Sequence, residues 1–348
     1  MEPLNVLDLP QLYTKPSADA LLHTLDLLAV APPSWERNPT QIDIADSTEP
    51  TIQINPEGVT RYLTSIVSSS LIWIEDEDAK EEILNRASVR LSERSGRTAM
   101  GAISRRFRIP TSSSSFDLDI HEPALTGDDL GLKTWAASYL LAKRLHTFDL
   151  TSTTRECGEK ILELGAGTGL VGLAMAGLGA DVVLTDLPSI CPNLNRNAQQ
   201  NSALVQNRGG SVQTAVLDWM KPTIYEPFPP PSTAPDSQVS KTRYPLILAA
   251  DSLYSPDHPR MLVNTINVWL GNEAHAKVIV EFPYRDAYLP QIQDFRQRMT
   301  EIGLQILEEG EEEGFDDWGH SGTQQHSDDD ALVKCWWSIW TRKSFNIT

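Results

Sequence analysis

The sequence predicts an α/β fold: a mostly parallel β-sheet with helices on both faces, preceded by a mainly helical extension. Three observations carry this. From residue 160 onward, strand-like and helix-like segments alternate. Most of these strands are near-continuous apolar runs, as in strands buried on both faces. At 161–172, ILELGAGTGLVG, an apolar run breaks into three alternate glycines and then resumes. That is a sharp strand-to-helix turn in which the backbone leaves room for a ligand.

The elements follow in order. Residues 1–104 read as a helical extension, with apolar positions at helical spacing in SADALLHTLDLL (17–28), a largely buried helix in GVTRYLTSIVSSSLIWI (58–74), and an amphipathic helix at 76–94. RRFRIP (105–110) and SFDLDIHEP (115–123) are short strands around a serine-rich turn, and GLKTWAASYLLAKRL (131–145) is a helix. The alternation then runs KILEL, LVGLAMAGLG, DVVLTD, PSICPNLNRNAQQN, SVQTAVLDW, YPLILAAD, HPRMLVNTINVWL, AKVIVEF, LPQIQDFRQRMTEIG and LQIL. It closes on a long strand at 331–343 that pairs antiparallel with the strand before it. These make up a second domain, 105–348. A Pro/Ser/Thr-rich stretch at 221–244 reads as an inserted surface loop, and 308–330 as an acidic loop.

Composition narrows the function. The 348-residue chain carries a formal net charge of −18, which repels phosphate backbones and argues against a nucleic-acid substrate. A basic protein surface suits it better. Between Glu301 and Asp330 lie eleven acids and no Lys or Arg: a solvated loop or a docking strip for such a partner. Cys157, Cys191 and Cys335 stand far apart, without zinc or disulfide spacing, and the histidines show no metal pattern. His121 reads as a surface residue near the site's rim. No stretch approaches the ~18 apolar residues of a membrane helix. A monomeric, cytoplasmic protein is expected.

The glycines fit two cofactors. GTGLVG (167–172) matches the dinucleotide fingerprint. If the strand ends at Leu164, however, Gly165 makes the turn and the third glycine falls one residue too early for that pattern. Asp186, about twenty residues on, suits the ribose hydroxyls in either case. Glu163 tips the balance. A buried acid just before the strand end is costly without a partner, and here it can engage the cationic end of S-adenosylmethionine or the loop that holds it.

ILELGAGTGLVGL resembles motif I of the class I, seven-stranded Rossmann-like S-adenosylmethionine methyltransferases. LKTWAA (132–137), LDW (217–219) and LAADSLY (248–254) are similar to three further segments of the subgroup that methylates lysines of chaperones and translation elongation factors. That subgroup carries an Asp-x-x-Tyr after its fourth strand, matched by Asp251 and Tyr254. The resemblance covers roughly 105–345, and the longer layout looks like the fungal enzymes acting on elongation factor 2.

The resemblance implies S-adenosylmethionine as cofactor. Gly165, Ala166 and Gly167 would approach its amino-acid and ribose parts, and Asp186 would bind the ribose or else cap a helix. Asp218 and Trp219 would flank the adenine, Trp135 would line the pocket, and Ala250 would leave space for the methionine tail. Core packing is the plain alternative for Trp135, Trp219 and Ala250. Asp251 and Tyr254 would carry the chemistry: a carboxylate to attract the lysine ammonium, whose reference pKa is ~10.4, and a ring to wall its channel. A turn residue and a wall residue are their plain alternatives. The Asn/Asp-Pro-Pro motif of enzymes that methylate bases is absent from ADSLY. A protein-lysine methyltransferase follows. A methyltransferase for a small amine or another side chain, or a cofactor-binding scaffold without activity, stands as the alternative.

Overall fold

In the computed structural model, the residues described are 3–30, 54–94, 101–124, 130–148, 160–230, 243–315 and 332–343. They fall into two compact units, one of the residues up to Ile103 and the other of those from Ser104 on. Cys157, residues 231–242 of the inserted loop and the acidic residues from Asp316 to Asp330 lie outside the described residues.

The first unit is a helical cluster. α1 (Ala18–Leu27) starts at Ser17, whose hydroxyl accepts the Ala20 amide. α2 (Val59–Val67) follows Gly58, whose φ of 80° is glycine territory. α3 (Glu77–Ser92) is capped by Asp76, which accepts the amides of Asp78 and Ala79. Leu21, Leu25, Leu63, Ile66, Ile83 and Ala87 interlock at its centre, wholly buried.

The second unit holds the sheet. β1 (Ile103–Pro110) and β2 (Ser115–Glu122) form a separate hairpin. The helix expected at 131–145 starts late, as α4 (Ala136–Arg144), after a 3₁₀ turn at Leu130–Leu132. Then come β3 (Ile161–Leu164), α5 (Leu170–Gly177), β4 (Asp181–Asp186), α6 (Cys191–Gln200), α7 (Ser202–Asn207), β5 (Ser211–Val216) and β6 (Glu226–Phe228). β7 (Leu246–Ala250), α8 (His258–Trp269), β8 (Lys277–Pro283), α9 (Leu289–Glu301), β9 (Leu304–Phe315) and β10 (Leu332–Arg342) complete it. The order across the sheet is β6-β5-β4-β3-β7-β8-β10-β9. β5, β4, β3, β7 and β8 run parallel, and β10 is antiparallel to β8 and β9.

Two expectations need correction. The inserted stretch contributes β6, an antiparallel edge strand on β5, so among the described residues the sheet has eight strands rather than seven. The acidic residues from Glu308 to Glu313 are not in a loop, because β9 extends through them to Phe315. This edge strand pairs with β10 and holds three of its charges in ion pairs: Arg296–Glu309 at 3.0 Å, Lys334–Glu311 at 2.5 Å, Arg144–Glu312 at 2.7 Å. Charges on a sheet edge also discourage edge-to-edge pairing.

β10 sorts the two faces of the sheet. Trp336 and Trp340 point into a core with Phe282, Phe295 and Met299, beneath α8 and α9. Cys335, one residue out of phase, points the other way against Ala137 and Leu140 of α4. β3 and β7 are buried along their full length, as strands covered on both sides must be.

Candidate active site

A cleft opens at the carboxyl ends of β3, β4, β5 and β7. Adjacent β3 and β7 form the sheet's switch point, where crossovers leave in opposite directions and a crevice results. β3 ends at Leu164, so Gly165 makes the turn. Gly165, Gly167 and Gly169 all have positive φ, 66°, 57° and 89°. A Cβ on Gly165 would lie 3.0 Å from the Trp219 ring, and one on Gly167 3.0 Å from the Gly131 carbonyl oxygen. The alternate glycines thus let the chain coil tightly while keeping bulk out of the cleft. Gly172, the last glycine of the dinucleotide pattern, serves packing. Its Cβ would meet Leu184 at 2.1 Å and the Glu163 carboxylate at 2.4 Å.

Asp186 ends β4. Its Oδ2 accepts the Gly167 amide at 2.7 Å and its Oδ1 the Leu187 amide at 2.7 Å. Each oxygen keeps a second lone pair for a hydroxyl. Burial lifts its pKa to about 6, against the pull of the two amides. Asp218 and Trp219 follow β5, and the Asp218 carboxylate accepts the Met220 amide at 2.8 Å. Trp135 precedes α4, donates its ring N–H to the Leu130 carbonyl at 3.2 Å, and carries the Arg285 guanidinium over its face at 5.1 Å.

Asp251 and Tyr254 leave β7 on the opposite side of the cleft. Asp251 has a φ of 50°, uncommon outside glycine, and its amide donates to the Glu281 carbonyl at 3.0 Å. A residue held in this region stores strain that surrounding structure must offset, a pattern concentrated at functional sites. Tyr254 is 42 % exposed, a wall at the mouth rather than core. The His258 ring meets it edge-on at 4.3 Å.

Ten of the eleven residues expected at the site line this one cleft: Trp135, Gly165, Ala166, Gly167, Asp186, Asp218, Trp219, Ala250, Asp251 and Tyr254. Glu163 does not. It is 2 % exposed, and its carboxylate turns under α5 to accept the Gly172 amide at 2.9 Å, latching the loop rather than facing a ligand. Burial, only partly offset by that amide, lifts its pKa to about 8. His121 is a further correction. It is buried in β2, where Asn193 and Asn197 side chains bond its backbone.

The sequence reading missed several lining groups. The Thr168 hydroxyl pairs with that of Thr134 at 2.9 Å, and Lys133 is buried with its ammonium on the Pro123 carbonyl at 2.7 Å. His258 holds Ser252 in place through Nδ1 and the Ser252 carbonyl, 3.0 Å apart. Burial lowers its pKa, keeping it neutral. Nothing about a lone histidine at a helix start announces this.

A parallel sheet with a glycine cradle, an acid at the end of the second core strand and an Asp-x-x-Tyr wall defines a class: methyltransferases of the Rossmann-like type. The cradle and the spare lone pairs of Asp186 fit the adenosine and amino-acid parts of S-adenosylmethionine. Comparison with known proteins gives the family. Residues 112–299 match the lysine methyltransferase family. The protein-lysine N-methyltransferase rrg1 of Schizosaccharomyces pombe is 30% identical over 334 residues, which cover 96% of this chain and 97% of rrg1. The protein-lysine N-methyltransferase EFM2 of Saccharomyces cerevisiae is 36% identical over 261 residues, 70% of this chain but only 58% of EFM2. EEF1A lysine methyltransferase 3 of Mus musculus is 31% identical over 156 residues, 43% of this chain and 58% of that protein. The chain belongs to the S-adenosylmethionine-dependent lysine methyltransferase family.

Proposed function

We propose that this chain methylates a lysine side chain of a protein, and that the protein is a translation elongation factor. The observation that carries the reading is the meeting of Asp251 and Tyr254 with Gly165–Gly167, Asp186 and Asp218–Trp219 around one cleft. The choice of an elongation factor rests on EEF1A in a relative's name and on the layout resemblance noted above, with a basic target surface suited to the −18 charge.

S-adenosylmethionine, when bound, supplies an activated methyl group on sulfur. The rest is this chain's work. Gly165 and Gly167 admit the cofactor's backbone-hugging portion. Asp186 would accept hydrogen bonds from the ribose hydroxyls, and Asp218 and Trp219 would hold the adenine. Trp135 closes the side of the cleft, and Ala250, small and at the end of β7, leaves the methionine tail its path. Asp251 attracts the lysine ammonium and takes its proton. That step is needed because an ammonium has no lone pair to attack with. Tyr254 walls the channel and fixes the amine's approach, edge-braced by His258. The rate gain comes mainly from alignment of amine and methyl in a partly desolvated site.

The test is transfer of a labelled methyl group from S-adenosylmethionine to purified elongation factors 1A and 2, and in parallel to an extract of cells lacking this chain. One labelled band, lysine-modified by mass spectrometry, is expected. Label confined to small molecules would replace the reading with a small-amine enzyme. Cofactor binding without transfer would favour a scaffold.

A further inference from the structure

A second carboxylate lies directly behind Asp251. Glu281, on β8, is fully buried, and its carboxyl lies against the Glu312 side chain without a backbone amide to hold either oxygen. It neighbours Asp251 through the sheet: Ala250 pairs with Glu281 across β7 and β8, and the Asp251 amide bonds the Glu281 carbonyl. Its other neighbours follow from register. Glu281 pairs with Trp337 on β10, and Cys335, two residues along, pairs with Glu312 on β9. Paired residues, and residues two apart on one strand, share a face. Glu281, Trp337, Cys335 and Glu312 therefore project to the same side, that of α4, with Cys335 and the Trp337 ring flanking the diagonal between the two acids. Strands lie about 4.8 Å apart, so two glutamate side chains can bridge the one intervening strand. Glu312 ends this row, about one-fifth exposed and ion-paired with Arg144 at 2.7 Å.

We propose that Glu281 relays the proton released at Asp251 to Glu312, so that the active site discharges through the α4 face of the sheet while a protein substrate covers its mouth. This rests on Asp251 being the group that accepts the substrate proton. The balance is simple. The lysine ammonium gives one proton to the Asp251 carboxylate. Asp251 returns to its anion by passing a proton to one oxygen of a neutral Glu281. Glu281 releases its own proton from the other oxygen to Glu312, and Glu312 gives it to water. Asp251 ends as the carboxylate and Glu281 as the neutral acid, each as it began. The groups facing Glu281 agree with this. Burial holds it protonated, and the Glu312 and Asp251 carboxylates reinforce that while Arg144 opposes it. Cys335, also kept protonated, feels the same three acids and Arg285. A buried acid that no backbone amide or cation holds is costly, and a proton carrier is a reason to keep one.

The test compares Glu281→Gln, Glu312→Gln and Asp251→Asn in the full chain, using labelled-methyl transfer to extract protein from cells lacking this chain. Glu281→Gln keeps shape and neutrality, and it is expected to lower kcat about tenfold or more and to alter its pH profile, with cofactor Kd unchanged. Glu312→Gln should give a smaller loss in the same direction. Infrared difference spectra give a readout without turnover: at neutral pH one protonated-carboxyl band is lost between the native chain and Glu281→Gln, while the band of protonated Glu163 stays in both. Native kcat and pH profile in Glu281→Gln, or no such band loss, would overturn the relay. If Asp251→Asn is inactive while Glu281→Gln is not, the relay fails alone. If Asp251→Asn transfers normally, the assignment of Asp251 fails with it.

Discussion

Two glutamates sit buried in the same sheet, and they are treated in opposite ways. Glu163 on β3 is 2 % exposed and spends its charge capacity on one backbone amide, that of Gly172. Glu281 on β8 is as deeply buried, yet no backbone amide holds its oxygens, and what its carboxyl lies against is another acid, Glu312. Burial raises the pKa of both, to about 8 for Glu163 and well above the ordinary carboxylate range for Glu281. The first is a latch: it ties the start of α5 to β3 and so sets the loop between them. The second ties no loop to the sheet, and it lies next to the strained Asp251 and the Glu312 carboxylate. A buried acid held by a backbone amide points to architecture, and one set among other carboxylates beside a cleft points to chemistry.

The largest effect that could break this comparison is at Asp251. Asp251→Asn is expected to lower kcat by about a hundredfold or more, the usual loss for a general base, with cofactor affinity nearly intact by calorimetry. A comparable loss of cofactor binding would move Asp251 out of the chemistry. Gly172→Ala attacks the latch instead. Its methyl would strike Leu184 and the Glu163 carboxylate, an overpacking cost of about 1–3 kcal/mol in denaturant unfolding. An unchanged unfolding midpoint would show the latch to be slack.

A pH-dependent effect separates the two acids further. The raised pKa of Glu163 means that the folded chain holds a proton which the unfolded chain gives up near pH 4.3. This contribution to stability is full below that pH and is lost as pH rises toward about 8. Glu163→Gln removes the loss, so its Tm should exceed the native value near pH 8 and match it near pH 4, while the kcat pH profile keeps its shape. An altered kcat profile would put Glu163 in the chemistry with Glu281. The smallest effect belongs to Tyr254→Phe. The ring and its contact with His258 remain, so kcat should fall by less than about tenfold, with KM for the protein substrate moving less than in Tyr254→Ala. A larger loss would assign the work to the hydroxyl.

Much of this was legible in the sequence for local reasons. Apolar runs of strand length and helical periodicities gave β3, β4, β7, β8, α8 and α9 within a few residues, because burial on both faces dictates composition. The turn at Gly165 was readable because few residues but glycine accept alternate positive φ. Asp186, Asp218, Trp219, Asp251 and Tyr254 stood at strand ends, where an α/β sheet presents its ligands. The rest needed three dimensions. β6 is too short and Pro-flanked to read as a strand, and it exists only because β5 offers a free edge. The glutamates of β9 read as a loop because charge outweighs pattern in a one-dimensional view. They are strand because β10 pairs with them and Arg144, Arg296 and Lys334 neutralise three of them.

The sequence by itself determined the sheet, the glycine cradle and the residue types at its rim, since these depend on steric rules and burial between near neighbours in the chain. Only the tertiary structure decided that Glu163 turns under α5 rather than toward a ligand, that His258 braces Tyr254, and that Glu281 and Glu312 share one face on either side of Cys335. The reason is physical: the direction of a buried side chain, and the partner that meets its charge, are set by strand register and by segments distant in sequence, which no local pattern encodes.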